Sequence, residues 1–185
     1  MRFLVHEGAP PKRRGRLLAL AFGSGMLVAI AGLGLLGFRV NLTSSAPIGL
    51  WQIRSLDRPV QRGDLVFVCP PMTAVMREAR ARGYLRPGLC PGDVAPLIKT
   101  VAATSGQIIE IGDEVHIDGE FLAKSRLMAR DASGRPMAPH RGGQIMPNMI
   151  YLHSDFPGSF DSRYFGPLPT HNILGLAQKV WTFAP

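Results

Sequence analysis

Residues 17–38, LLALAFGSGMLVAIAGLGLLGF, hold 22 positions without a charge, and no later stretch of the chain matches that run. As a helix they would span about 33 Å, enough to cross a hydrocarbon layer of about 30 Å. Beyond Arg39 the pattern changes to short apolar runs divided by Gly, Pro, Asp and Ser clusters, which predicts antiparallel β structure. Strands are expected at 48–54, 64–68, 97–103, 107–111, 114–117, 120–123, 149–153 and 174–181. Asp118-Gly119 between two of them is a type I′ hairpin signal. One helical stretch, TAVMREARAR at 73–82, has Thr73 as its N-cap and Gly83 as its stop. Residues 129–143 are rich in Pro, Gly and Arg and read as an exposed loop. The expected fold is mostly β: a single N-terminal transmembrane helix, then an antiparallel β domain with one short helical insertion.

Charge gives the chain a direction. Arg2, Lys12, Arg13, Arg14 and Arg16 stand against Glu7 before the apolar run, and Arg39 alone follows it closely. By the positive-inside rule, 1–16 is a basic cytoplasmic tail, 17–38 a single-pass anchor and 39–185 an extracytoplasmic domain. The alternative is a cleaved signal peptide, which has a shorter apolar region and a small-x-small exit site. Here the run ends Gly37-Phe38-Arg39-Val40. The net charge of +8 invites a nucleic-acid reading, but half of it sits in the tail. No later stretch interleaves basic and aromatic residues as a stacking platform would, so no nucleic-acid partner is expected. His6, His116, His140, His153 and His171 lack metal-ligand spacing, and neither metal nor cofactor is expected. The glycines of the apolar run assign no oligomeric state.

Three segments carry candidate chemistry. The first runs from Asn41 to Trp51, NLTSSAPIGLW, where Thr, Ser, Pro and Gly make a turn before an apolar strand. It presents a hydroxyl just past the anchor, or is a linker with incidental serines. In the second, 96–103, Leu97, Lys99, Val101 and Ala103 share one face of a strand. A lysine among apolar neighbours is either a desolvated general base or a snorkelling edge residue. The third, 151–167, runs from a strand into a polar loop with Asp155, Asp161 and Arg163. Asp161 and Arg163 either pair or bond loop amides.

In this order and approximate spacing, the segments resemble the signal peptidase I family, and more closely its conjugative-transfer branch, the TraF-type peptidases that mature pilin subunits. That branch has the signature Asn-x-Thr-x-Ser-x-Pro-x-Gly-Leu-aromatic, filled here by Asn41, Thr43, Ser45, Pro47, Gly49, Leu50 and Trp51. Leu97-Ile98-Lys99-Thr100-Val101 is similar to the family's lysine strand, and Asp161-Ser162-Arg163-Tyr164-Phe165-Gly166 to its last box. Arg82-Gly83-Tyr84-Leu85 and Cys90-Pro91-Gly92 also look like this branch. The chain departs from housekeeping signal peptidases: Ala46, not Met, follows Ser45, and His153-Ser154-Asp155 stands in place of Gly-Asp-Asn.

The resemblance implies a membrane-anchored serine endopeptidase at a bacterial inner membrane, its domain in the periplasm. Ser45 would be the nucleophile and Lys99 the base, with Ser44 the competing nucleophile in the same turn. Thr43 would stabilise the oxyanion, and Asp161 and Arg163 would support the site. The substrate would be a pilin-like precursor, cleaved and, if an amine takes the acyl group, cyclised. Small residues before the cut are expected, presented as a strand added to a sheet edge that the apolar run 48–53 would supply. A rival reading is a non-catalytic, membrane-tethered assembly factor of a secretion or conjugation apparatus. A self-cleaving Ser–Lys regulator would need a DNA-binding motif that the sequence lacks. Cys69 and Cys90 are the two cysteines. The orientation places them where oxidation is permitted, so they form a disulfide across the helical insertion or remain free thiols.

Overall fold

The computed structural model describes the backbone of residues 13–183 and the side chains of Leu17 and residues 19–183. The start of the basic tail thus lies outside the described residues. The chain forms two compact units, one ending at Gly37 and one starting at Phe38. The first holds helix α1 (Arg13–Leu35), whose Leu20, Phe22 and Leu35 are 67%, 78% and 90% exposed. Among the described residues, no helix is long and apolar enough to cross a membrane. The helix also stops short of the run read over 17–38. Gly37 adopts a left-handed φ of 84° and donates to Gly34, and Phe38 already opens a strand.

The second unit is built on two antiparallel sheets. In chain order its elements are β1 (Phe38–Asn41), β2 (Ile48–Arg54), β3 (Leu65–Val68), α2 (Ala74–Ala81), β4 (Pro87–Cys90), β5 (Leu97–Thr104), β6 (Ile108–Ile111), β7 (Val115–Ile117), β8 (Glu120–Phe121), β9 (Gly143–Gln144), β10 (Met149–His153), α3 (Ser162–Phe165), β11 (Leu168–Pro169) and β12 (Ile173–Phe183). The large sheet has the order β1-β2-β12-β3-β5-β10-β11, and the small one β8-β7-β6-β9.

The hairpin at Asp118-Gly119 forms with both residues at positive φ, 52° and 81°, as its sequence requires. In α2, Thr73 accepts from Met76 N at 3.3 Å, and Gly83 at φ 82° ends the helical turn. One expectation is corrected. The run 48–53 is not a sheet edge, because β2 pairs with β1 on one side and β12 on the other.

The pairing of β2 with β12 also explains Gly49. Its φ is 137°, and a Cβ there would overlap the carbonyl of Trp181. Three apolar clusters fill the unit. One lies beneath α2 and includes Val66, Val68, Met76, Val101 and Leu152. A second lies at the small sheet around Ile109, Ile117, Ile145 and Tyr151. The third packs Ala46 with Trp51, Phe67 and Ile98.

Candidate active site

Ser45 sits in the turn that joins β1 to β2, so its segment is a hairpin turn and not a linker. Asn41 organises it. Its Nδ2 donates to the carbonyls of Thr43 (2.9 Å), Ala46 (2.9 Å) and Pro47 (3.0 Å). Its Oδ1 accepts from Thr43 N at 3.1 Å and from the Thr43 hydroxyl at 2.8 Å. The fully buried Trp51 adds a bond from Nε1 to Pro47 O at 2.9 Å. These contacts account for Asn41, Thr43, Pro47 and Trp51 in the signature. Ser44 is exposed, whereas Ser45 is half-buried with its Oγ 3.4 Å from Thr43 Oγ1. Because Thr43 gives its proton to Asn41, its hydroxyl is turned to accept from Ser45.

Lys99 lies in β5, opposite Val66 of β3. It shares the face of Leu97 and Val101 and is only 2% exposed, so the snorkelling alternative does not apply. Burial brings its pKa down to about 8, with Asp161 acting to raise it and Arg163 to lower it. Its Nζ donates to Ser159 Oγ at 2.6 Å. On the other side of β5, pairing with β10 ends at Thr100 and His153. Residues 97–99 therefore have no strand partner there among the described residues.

The loop after β10 closes over this lysine. Asp161 and Arg163 form a fully buried two-pronged ion pair, Nε to Oδ1 at 2.8 Å and Nη2 to Oδ2 at 2.9 Å. Asp161 also caps α3 by accepting from Arg163 N, and accepts from Ser154 N at 3.2 Å. Both sequence alternatives for this pair thus hold at once. Burial would raise the Asp161 pKa, but these bonds and the Arg163 charge hold it lowered. His153 Nδ1 stays 3.5 Å from Asp161 Oδ2, too far for a good hydrogen bond. Arg163 further donates to the carbonyls of Ser159 (3.2 Å) and Arg126 (2.9 Å), which fixes the loop around Ser159. Asp155 is not part of this cluster and pairs with Lys124 at 2.8 Å.

Lys99, Asp161 and Arg163 thus meet in one buried group, with Ser159 as a member that sequence reasoning missed. Thr43 and Ser45 lie in the adjoining turn. The turn is joined to the loop by Ser154, whose Oγ donates to Ser45 O at 2.6 Å. Among the described residues, no hydrogen bond links Ser45 Oγ to Lys99 Nζ. Cys69 and Cys90 form a disulfide at the base of the α2 insertion, with a Cα–Cα separation of 5.5 Å. The insertion reaches the loop through Tyr84, whose ring lies 5.2 Å from that of Phe160.

A family model described as signal peptidase, peptidase S26, matches residues 15–182. The probable conjugal transfer protein TraF of Sinorhizobium fredii (strain NBRC 101917 / NGR234) is 52% identical over 177 residues, 94% of each chain. The conjugal transfer protein TraF of Agrobacterium tumefaciens (strain 15955) is 57% identical over 149 residues, 80% of this chain and 85% of that one. Among solved structures, a signal peptidase I from Enterococcus faecalis V583 aligns with a TM-score of 0.40 at 18% identity, over 64% of this chain and 97% of that one.

Proposed function

The chain belongs to the signal peptidase family, peptidase S26, alongside conjugal transfer proteins TraF, and from that premise we propose that it is a serine endopeptidase whose nucleophile is Ser45 and whose base is Lys99. The observation that carries this reading is the buried amine. An ordinary lysine is almost wholly charged near neutrality, but one brought to about 8 supplies a useful fraction of neutral amine. A non-catalytic assembly module has no use for an amine buried at that energetic cost.

Ser45 Oγ attacks the scissile carbonyl, and neutral Lys99 takes its proton and delivers it to the leaving amine. Lys99 is held by Ser159 and Ser45 by Thr43 in the free site, so bound substrate has to draw the two together, as many resting sites require. The Ser45 N–H and the Thr43 hydroxyl receive the developing oxyanion. For Thr43 this means turning its proton away from Asn41. Asp161 and Arg163 hold the loop and exchange no proton. The acyl group then passes to water, giving hydrolysis, or to an amine, giving a cyclic product.

The proposed substrate is a pilin-like precursor in conjugative transfer. Its segment before the cut, with small residues, pairs along the open side of residues 97–99, beside the base. Residues 17–38 are proposed as an inner-membrane anchor, with residues 39–185 in the periplasm. The basic tail, the charge-free run and the exposed apolar side chains of α1 between Leu20 and Leu35 support this. So does an exposed apolar row next to Ser45, formed by Val40, Leu42, Ile48, Trp181 and Phe183. Aromatic residues favour the membrane–water interface.

The test is co-expression of the full chain with its precursor. Ser45→Ala and Lys99→Ala should each leave the precursor uncut, while Ser44→Ala processes it normally. Mass spectrometry of the product then separates the two fates, because a cyclic product is lighter than the linear one by one water. Normal processing by Ser45→Ala rules the reading out.

A further inference from the structure

The bond from Ser154 Oγ to Ser45 O spans 109 residues of chain, and the mechanism above gives Ser154 no part. It is nevertheless a built contact. Ser154 is 5% exposed. Its hydroxyl accepts from Phe156 N at 3.3 Å, which leaves its single proton for Ser45 O at 2.6 Å. Its own N–H is committed to Asp161 Oδ2. Ser154 is therefore oriented by the same carboxylate that anchors Arg163, and through Arg163 the Ser159 carbonyl.

The Ser45 carbonyl is distinct within its turn. The carbonyls of Thr43, Ala46 and Pro47 are held from inside the hairpin, by Asn41 and Trp51. That of Ser45 is held from the loop carrying the partner of Lys99. Among the described residues, this is the hydrogen bond that joins the turn to that loop. Ala46 packs the turn against Ile98 of β5 and Phe67 of β3, not against that loop, and apolar packing has little directionality.

We propose that Ser154 is a positioning residue for the nucleophile. By fixing the Ser45 carbonyl it fixes the ψ angle of Ser45, and with it the direction of Oγ relative to Lys99. The inference rests on the Ser45–Lys99 reading. It assigns Ser154 to geometry and not to the protonation of the base, and this separates it from a residue that merely tunes Lys99.

The experiment uses the full-length enzyme in detergent with a synthetic precursor peptide spanning the cut. Ser154→Ala should lower kcat about 100-fold, the scale of a misplacement near 1 Å, and leave KM unchanged. The midpoint of the alkaline pH limb should also stay in place. Ser154→Thr, which keeps the hydroxyl, should recover most of kcat. If Ser154→Ala does not fold, Ser154→Cys takes its place, since a thiol is a weak donor, and the same loss is expected. An unchanged kcat, a shifted pH midpoint, or a Thr variant as slow as Ala each overturns the proposal. Ser45→Ala and Lys99→Ala are assayed alongside. If either retains activity, the peptidase reading itself is wrong. If both are inactive while Ser154→Ala matches the parent, only the role of Ser154 fails.

Discussion

Lys99 Nζ donates to Ser159 Oγ at 2.6 Å, a contact between residues 60 apart in sequence and closed off from solvent on both sides. It gives a buried amine one partner without giving it a counter-charge in direct contact. Asp161, the carboxylate of that cluster, is already saturated by Arg163 and by backbone donors. Desolvation is thus left as the dominant influence on Lys99.

Activity should follow the neutral fraction of that amine. With a pKa of about 8, kcat/KM should rise roughly tenfold per pH unit below the midpoint and level off above it. Lys99→Arg should be inactive throughout, because a guanidinium stays charged across that range. A pH profile of peptide cleavage checks both. A flat profile from pH 6 to 9 would remove Lys99 from the rate equation.

The same burial predicts a stability cost with a defined pH window. The folded pKa of Lys99 is below its unfolded value, so the unfolded chain binds more protons between about 8 and 10.5. The penalty is fully present below about pH 8 and disappears as pH rises through 10.5, with a size of about 3 kcal/mol. Lys99→Met should therefore be inactive yet more stable at pH 7, and should lose that advantage near pH 10.5. Thermal unfolding at the two pH values measures it. A variant less stable than the parent at pH 7 contradicts the sign.

The apolar neighbours of Lys99 were legible in the sequence because strand alternation is local: Leu97 and Val101 flank it at a period of two. Its partner was not. Ser154 and Ser159 lie in the loop after β10 and Ser162 opens α3; the three look alike in sequence, yet they take three different tasks. Ser154 donates to the Ser45 carbonyl, Ser159 accepts from Lys99, and Ser162 accepts from Leu152 N. Which hydroxyl does which depends on chain brought in from far away. The same limit misplaced the sheet edge, since nothing within 48–53 reveals that β1 and β12 occupy both its sides. β1 was not legible because it straddles the end of the apolar run, with Phe38 inside the run and only Arg39, Val40 and Asn41 beyond it. β4 escaped because Pro87 and Gly88 read as a turn, although the segment pairs with Val94. The capped helix α2 and the Asp118-Gly119 turn were legible because their signals are complete within a few residues.

The Asp161–Arg163 pair should matter more when broken than when replaced. Arg163→Ala strands a buried carboxylate and should cost about 3–5 kcal/mol, whereas Asp161→Asn combined with Arg163→Met should cost much less. Since the folded pKa of Asp161 is lowered, its stabilising contribution is full above the unfolded value near 4 and is lost as pH falls through the folded one. Chemical denaturation of the three proteins tests the comparison. Equal losses in the single and double variants would mean that the pair is not coupled.

The Cys69–Cys90 bridge predicts a loss of stability without a change in chemistry. It closes a loop with a sequence separation of 21 that contains α2, and cross-linking a loop of that size contributes about 3 kcal/mol in the loop-entropy model. Both cysteines belong to the apolar cluster beneath α2, whereas Lys99 is held by the polar side chain of Ser159. The insertion meets that region through Tyr84, whose ring lies tilted against that of Phe160 and whose hydroxyl donates to Asp131 Oδ2 at 2.5 Å. These contacts remain in a folded protein without the bridge. Cys69→Ser with Cys90→Ser should therefore unfold at lower denaturant while retaining kcat at a temperature where both proteins are folded. Thiol labelling of denatured, unreduced protein from an oxidising compartment should find no reactive thiols. Two reactive thiols per chain would show that the bridge does not form in the cell, and would also count against a periplasmic location for residues 39–185.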